Sequence, residues 1–181
     1  MQPRIQELID HLAAHRREVF AAVAAVPEEL RERRFAPGHW SVAEVMEHLS
    51  MVERRVAELL TAQVAAARAK NLPGETETSS VVASFQNIER MLDRKNKAIS
   101  PERVRPTGTL DARASAQALT ESRAAMLTAL QNADGVALGQ LQATHPVLGT
   151  LDLYHWLVAF GLHDARHAAQ IRETGEALTR G

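Results

Sequence analysis

No cysteine occurs among the 181 residues of the chain. That excludes disulfides, thiolate nucleophiles and every cysteine-based zinc arrangement, so a metal must be held by histidine and carboxylate, and any thiol chemistry needs a partner molecule. Aromatic residues make up only 4%, which disfavours aromatic-rich strands. Neither sign of charge dominates: 21 Lys+Arg face 22 Asp+Glu, for a formal net charge of -1, so no global field draws the chain to nucleic acid or an anionic membrane. The longest apolar run, Val19 to Val26, covers 8 residues, against the roughly 20 that a membrane span requires. The N-terminus carries no signal-peptide pattern, and the expected location is cytoplasmic.

What is present points to helices. Alanine occupies 31 positions and 45% of the residues are hydrophobic, a composition suited to close-packed helices in an all-α fold. A mass of 19.9 kDa is enough for one core, so residues 1–181 are expected to form a single domain. Ile5, Leu8, Ile9, Leu12, Val19, Val23 and Val26 recur at helical spacing until Pro27, which predicts a first helix. Ser41 and Glu44 have capping-box spacing ahead of Val45, Leu49, Val52, Val56 and Leu59, predicting a second helix to about Lys70. Turn formers fill residues 71–80, and Val81, Phe85, Ile88 and Leu92 suggest one short helix ending near Lys97. A third long helix carries Ala112, Ala116, Leu119, Met126, Leu127 and Leu130; a fourth, after Gly149 and Thr150, carries Leu153, Trp156, Leu157, Phe160 and Ile171, with Gly175 near its end. No segment reads as a strand. A four-helix bundle with a long crossover between helices two and three, holding the short extra helix, is the economical architecture.

Eight histidines raise the question of which face inward. At 100° per residue, His163 and His167 both lie within about 65° of the centre of the fourth helix's apolar stripe. Their i,i+4 spacing lets two imidazoles grip one ion, and two buried imidazoles without partners would be costly. His48 lies about 70° from the centre of the second helix's stripe, at its edge, which makes a third inward nitrogen. Three neutral imidazoles leave coordination positions open, as a catalytic site requires. His11 and His15 share the same spacing but are expected at the surface, His11 well away from its stripe. His39, His145 and His155 are expected to be solvated or locally hydrogen-bonded, and Asp164 and Arg166 to be solvated.

Glu44, one turn before His48, reads as a helix cap through its spacing to Ser41, or as a carboxylate supporting the site or acting as a general base. Arg123 centres on the third helix's inward stripe. It is either paired with a carboxylate of helix two or four, or a clamp for a substrate carboxylate. Trp40 and Trp156 read as core or pocket wall, and Tyr154 as either.

The segment Trp40-Ser41-Val42-Ala43-Glu44-Val45-Met46-Glu47-His48-Leu49 resembles the W-S-x-x-E-x-x-x-H-L signature of the DinB/YfiT-like superfamily. Arg103 to Pro106, Leu119 to Arg123, His145 to Leu151 and His163 to Ile171 resemble later blocks of that family in order, from about residue 5 to 175. The resemblance implies an up-down-down-up bundle with a divalent ion on His48, His163 and His167. Zn or Ni is favoured for such a set, with Fe and Mn admissible. It further implies a small-molecule substrate, relatives including bacillithiol S-transferases and mycothiol-dependent maleylpyruvate isomerase, so a low-molecular-weight thiol is one expected partner. Expected activities are a thiol-dependent S-transferase or a hydrolase; a non-catalytic metal-binding or stress-response bundle is the alternative. A homodimer through a further helix face is also expected.

Overall fold

The computed structural model describes residues 1–95 and 100–180. It is mostly helical, with four long helices: α1 (Pro3–Ala24), α2 (Val42–Ala69), α5 (Ala112–Asn132) and α6 (Leu153–Arg180), and two short ones between α2 and α5, α3 (Val81–Ser84) and α4 (Ile88–Leu92). Among the described residues no helix is long and apolar enough to cross a membrane.

Each long helix starts where its sequence allows. Pro3 opens α1, where its missing N–H costs nothing. Ser41 and Glu44 form the expected reciprocal cap of α2, and Asp111 accepts from the Ala114 amide at the start of α5. On α2 every residue from Val42 to Ser50 is buried, because neighbours cover this end of the helix on all sides. One of those covers is the segment after α4: Glu47 accepts from the Thr107 amide at 3.1 Å, the Thr107 hydroxyl at 2.7 Å and the Gly108 amide at 3.1 Å. Gly108 sits at φ +71°, and a Cβ there would stand 3.1 Å from Glu44 Oε1, so the turn needs glycine twice over.

The crossover differs from the single helix expected. α3 stops at Ser84 because Phe85 turns extended at ψ 120° to bury its ring, and α4 restarts three residues later. Segments this short hold their shape through tertiary anchors, here Val81, Phe85 and Met91, rather than by propensity. The expected end near Lys97 lies outside the described residues.

A second difference is a hairpin where no strand was expected. β1 (Gln142–His145) and β2 (Gly149–Asp152) pair antiparallel, with Gln142 opposite Asp152 and His145 opposite Gly149. Four residues a side are too few for a period-2 pattern to register. The turn is held by His145, whose Nδ1 accepts from the Val147 and Leu148 amides, each at 3.2 Å.

The core comes in two apolar clusters. One holds Leu8, Leu12, Val56, Leu60, Met126, Leu130 and Phe160; the other holds Val19, Val23, Val45, Leu49, Leu119 and Ile171. On every long helix a polar residue occupies the gap between them: Arg16, Glu53, Ser122 with Arg123, and Asp164. Arg16 donates to Asp164 at 2.9 Å, to Glu53 at 3.0 Å and to the Leu119 carbonyl at 2.9 Å. Arg123 pairs with Glu53 at 2.7 Å and Asp164 at 3.0 Å. Two guanidinium groups thus balance two carboxylates in a layer joining all four helices, which avoids the large cost of an unpaired buried charge. Burial opposes the charge of Arg16, yet Asp164 and Glu53 overcome it and raise the pKa. For Arg123, burial and then Arg16 prevail and lower it, though guanidinium remains a cation.

Candidate metal centre

His48 comes from α2, and His163 and His167 come from α6 one turn apart. Their three nitrogens lie within 4.8 Å of one another. His163 Nε2 is 3.1 Å from His167 Nε2 and 3.4 Å from His48 Nε2. Nitrogens about 2.0–2.1 Å from one tetrahedral ion stand about 3.3–3.4 Å apart, so these separations fit a shared cation. His48 and His167 are buried at 4% and 8% exposure, and His163 is half-buried.

The far side of each ring decides which nitrogen faces the centre. His48 Nδ1 donates to the Val104 carbonyl at 2.6 Å, and His167 Nδ1 donates to Gln170 Oε1 at 2.8 Å. Both imidazoles therefore carry their hydrogen on Nδ1 and turn an Nε2 lone pair inward, the tautomer that a ligand requires. His163 Nδ1 is buried and without a hydrogen-bond partner among the described residues. The inward Nε2 atoms at 3.1–3.4 Å are reconciled by a cation between them or by the hydrogen of a neutral His163 placed on its own Nε2. The charged imidazolium form is opposed: burial, and then the neighbouring histidines, hold His163 and His167 well below the usual histidine range, so the rings are neutral as ligands must be. Burial lowers His48 as well, against the Val104 hydrogen bond.

Aromatic rings wall the trio. The Trp40 centroid is 4.9 Å from that of His48 and 6.5 Å from that of His167, stacked at 16°. Phe160 stacks against His163 at 6.5 Å. Apolar faces of this kind limit water around the nitrogens and favour the neutral rings.

The structure accounts for the other candidates as follows. Glu44 forms the cap and an ion pair with Arg34; burial pushes its carboxyl up, but Arg34 and Ser41 hold it below the ordinary value. Arg123 makes the carboxylate pairs already described, with Glu53 of α2 and Asp164 of α6. Asp164, expected in solvent, has 0% exposure: α1 and α5 cover the flank of α6 that a wheel drawn on one helix assigns to water. Arg166 is half-buried and donates to the Met91 and Asp93 carbonyls. His11 is also corrected, being half-buried with Nε2 3.0 Å from the Val158 carbonyl and packed against Gly161. His15 pairs with Glu18 at 3.1 Å. Tyr154 is core and donates to Glu75 at 2.6 Å. Arg16 and Glu53 lie outside the sequence patterns above, while Val104 and Gln170 fall within the family-like blocks, which assign them no role. Arg16 did carry a signal, a charged residue on the apolar stripe between Leu12 and Val19.

A helical protein with three converging histidines from two helices is the class that fold and site define. The DinB superfamily model matches residues 7–171, and the chain belongs to that superfamily. It is similar to the uncharacterized protein YuaE of Bacillus subtilis (strain 168), 22% identical over 169 residues that cover 91% of this chain and 95% of the relative. No solved structure matches it significantly.

Proposed function

We propose that the protein is a metal-dependent enzyme acting on a small molecule, with one divalent ion held by His48, His163 and His167. The observation that carries this reading is the convergence of three Nε2 atoms within 4.8 Å, two of them committed to the inward lone-pair tautomer by Val104 and Gln170. A cation in that position supplies Lewis-acid activation of a thiol or a water. Zn or Ni suits an all-imidazole donor set, with Fe and Mn admissible.

The chain's own residues then bind and orient. Trp40 and Phe160 exclude water from the imidazole faces. The neutral charge layer of Arg16, Glu53, Arg123 and Asp164 fixes α6 against the other helices, and with it His163 beside Asp164. On this reading Arg123 holds the fold, and Glu44 holds the start of α2. The architecture we assign is a four-helix bundle in up-down-down-up order. Supporting it, His11, Arg16 and Val26 of the α1 side meet Val158, Asp164 and Gly175 of α6 in the same order, and Glu53 and Arg68 of α2 meet Arg123 and Asn132 of α5 in the same order.

The reaction class is transfer to a low-molecular-weight thiol or hydrolysis, and the absence of cysteine leaves a thiol to arrive as cosubstrate. Assays with bacillithiol, mycothiol and glutathione against electrophilic acceptors, with and without chelator, test it. Turnover that chelator abolishes and added metal restores supports an enzyme. A metal-loaded protein inert in every assay points to the non-catalytic bundle instead.

A further inference from the structure

Ser84, His155 and Asp152 form a second constellation, on the flank of the molecule where α3 meets the start of α6. His155 Nδ1 lies 2.6 Å from Asp152 Oδ2, and its Nε2 lies 3.0 Å from Ser84 Oγ. Asp152 is itself fixed, since its Oδ1 accepts from the His155 amide at 3.1 Å as the residue before α6. With the Nδ1 hydrogen donated to the carboxylate, Nε2 is an acceptor, and only the Ser84 hydroxyl can donate across the 3.0 Å contact. The hydroxyl is also 2.9 Å from the Val81 carbonyl, so its single hydrogen is shared between that carbonyl and His155.

We propose that these residues are a hydrolytic triad for small esters, with Ser84 as nucleophile, His155 as general base and Asp152 positioning the imidazole. Nucleophile, base and orienter stand in the required chain of hydrogen bonds. They border a cavity of about 110 Å³ lined by Ser84, Phe85, Gln86, Asn87, Leu151 and His155. Phe85 and Leu151 give it apolar walls for a short acyl group. Gln86 and Asn87 line the same cavity, and on this proposal their backbone N–H groups donate to the developing oxyanion. Ser84 is exposed and the His155 side chain is 31% exposed, so substrate can reach both. The site is separate from the three histidines, His155 preceding His163 by two turns of α6, about 12 Å of rise.

In the first step the Ser84 oxygen bonds to the ester carbonyl carbon while its proton passes to His155. The carbon–oxygen bond to the alcohol then breaks, and His155 returns the proton to the departing oxygen. Water attacks the acyl-serine by the same route, releasing the acid and restoring the Ser84 hydroxyl. No oxidant, reductant or metal takes part.

Diisopropyl fluorophosphate is the probe, with intact-mass and peptide mapping of the full chain. The expected result is one adduct per chain, on Ser84, with fluoride released and none formed on Ser84→Ala. Asp152→Asn keeps a good helix cap but loses the carboxylate, so it should retain the wild-type melting temperature while labelling about 100-fold more slowly. His155→Gln should slow labelling at least as much. Hydrolysis of p-nitrophenyl acetate should follow the same order of variants. A wild-type chain that stays unlabelled, an adduct on another residue, or Ser84→Ala labelling at the wild-type rate would overturn the proposal. So would Asp152→Asn and His155→Gln reacting as fast as the wild type.

Discussion

His48 gives its Nδ1 hydrogen to the carbonyl of Val104, 2.6 Å away and 56 residues along the chain, so the segment before α5 decides which nitrogen of an α2 histidine faces α6. Gln170 does the same for His167 from within α6. Only Gln170 acts through a side chain, which makes it the one open to substitution.

Gln170→Leu should leave the fold intact and weaken divalent-metal affinity by about 10–100-fold, the usual cost of losing a partner that orients a ligand. Competition against a chromophoric chelator measures it. Unchanged affinity would mean that the hydrogen bond has no part in holding the ring.

Removing Arg123 leaves two buried carboxylates, Glu53 and Asp164, on the single guanidinium of Arg16. Arg123→Ala should therefore destabilise the fold by roughly 3–5 kcal/mol, read from denaturant midpoints. Arg123→Lys should lose less, since it keeps the charge but not the fork. A stable Arg123→Ala protein with weakened anion-ligand binding would return Arg123 to the role of a substrate clamp.

His145 links stability to pH. Burial, and then Arg90, lowers its pKa from 6.5 to about 4, while its Nδ1 accepts two amides beneath the Trp156 ring. The unfolded chain takes up this proton near 6.5 and the folded chain only near 4. The contribution of the neutral His145 ring is thus fully present above about 6.5, falls as pH drops from there to about 4, and is gone below it. The loss is at most about 3 kcal/mol. Between neutral pH and pH ~4.5, His145→Asn should lose less stability than the wild type; parallel curves would contradict the assignment.

Gly161 admits the His11 ring: a Cβ there would stand 2.3 Å from His11 Nε2. Gly161→Ala must displace that imidazole from the Val158 carbonyl, at a cost of about 1–3 kcal/mol despite the better helix propensity of alanine. Thermal melts of Gly161→Ala alone and with His11→Ala test the coupling, and the double variant should recover part of the loss.

The inward pairing of His163 and His167 was legible in the sequence because an i,i+4 pair on an apolar stripe needs no tertiary knowledge, and the capping box of α2 was legible for the same reason. His48 is inward for a stronger reason than its position at a stripe edge, since α2 is covered all round from Val42 to Ser50. The hairpin escaped because its strands are four residues long. Asp164 and His11 escaped because a single helix's wheel cannot show which neighbour packs on its flank. Val104 acts through its backbone carbonyl, which no side-chain pattern reports.

Elemental analysis of untagged protein, with His163→Ala beside the wild type, tests the central claim most directly. The account predicts close to one divalent ion per wild-type chain, retained through gel filtration and lost in the variant while the helical spectrum is preserved. A wild-type chain that binds no divalent ion, or a His163→Ala chain with undiminished occupancy, would contradict it.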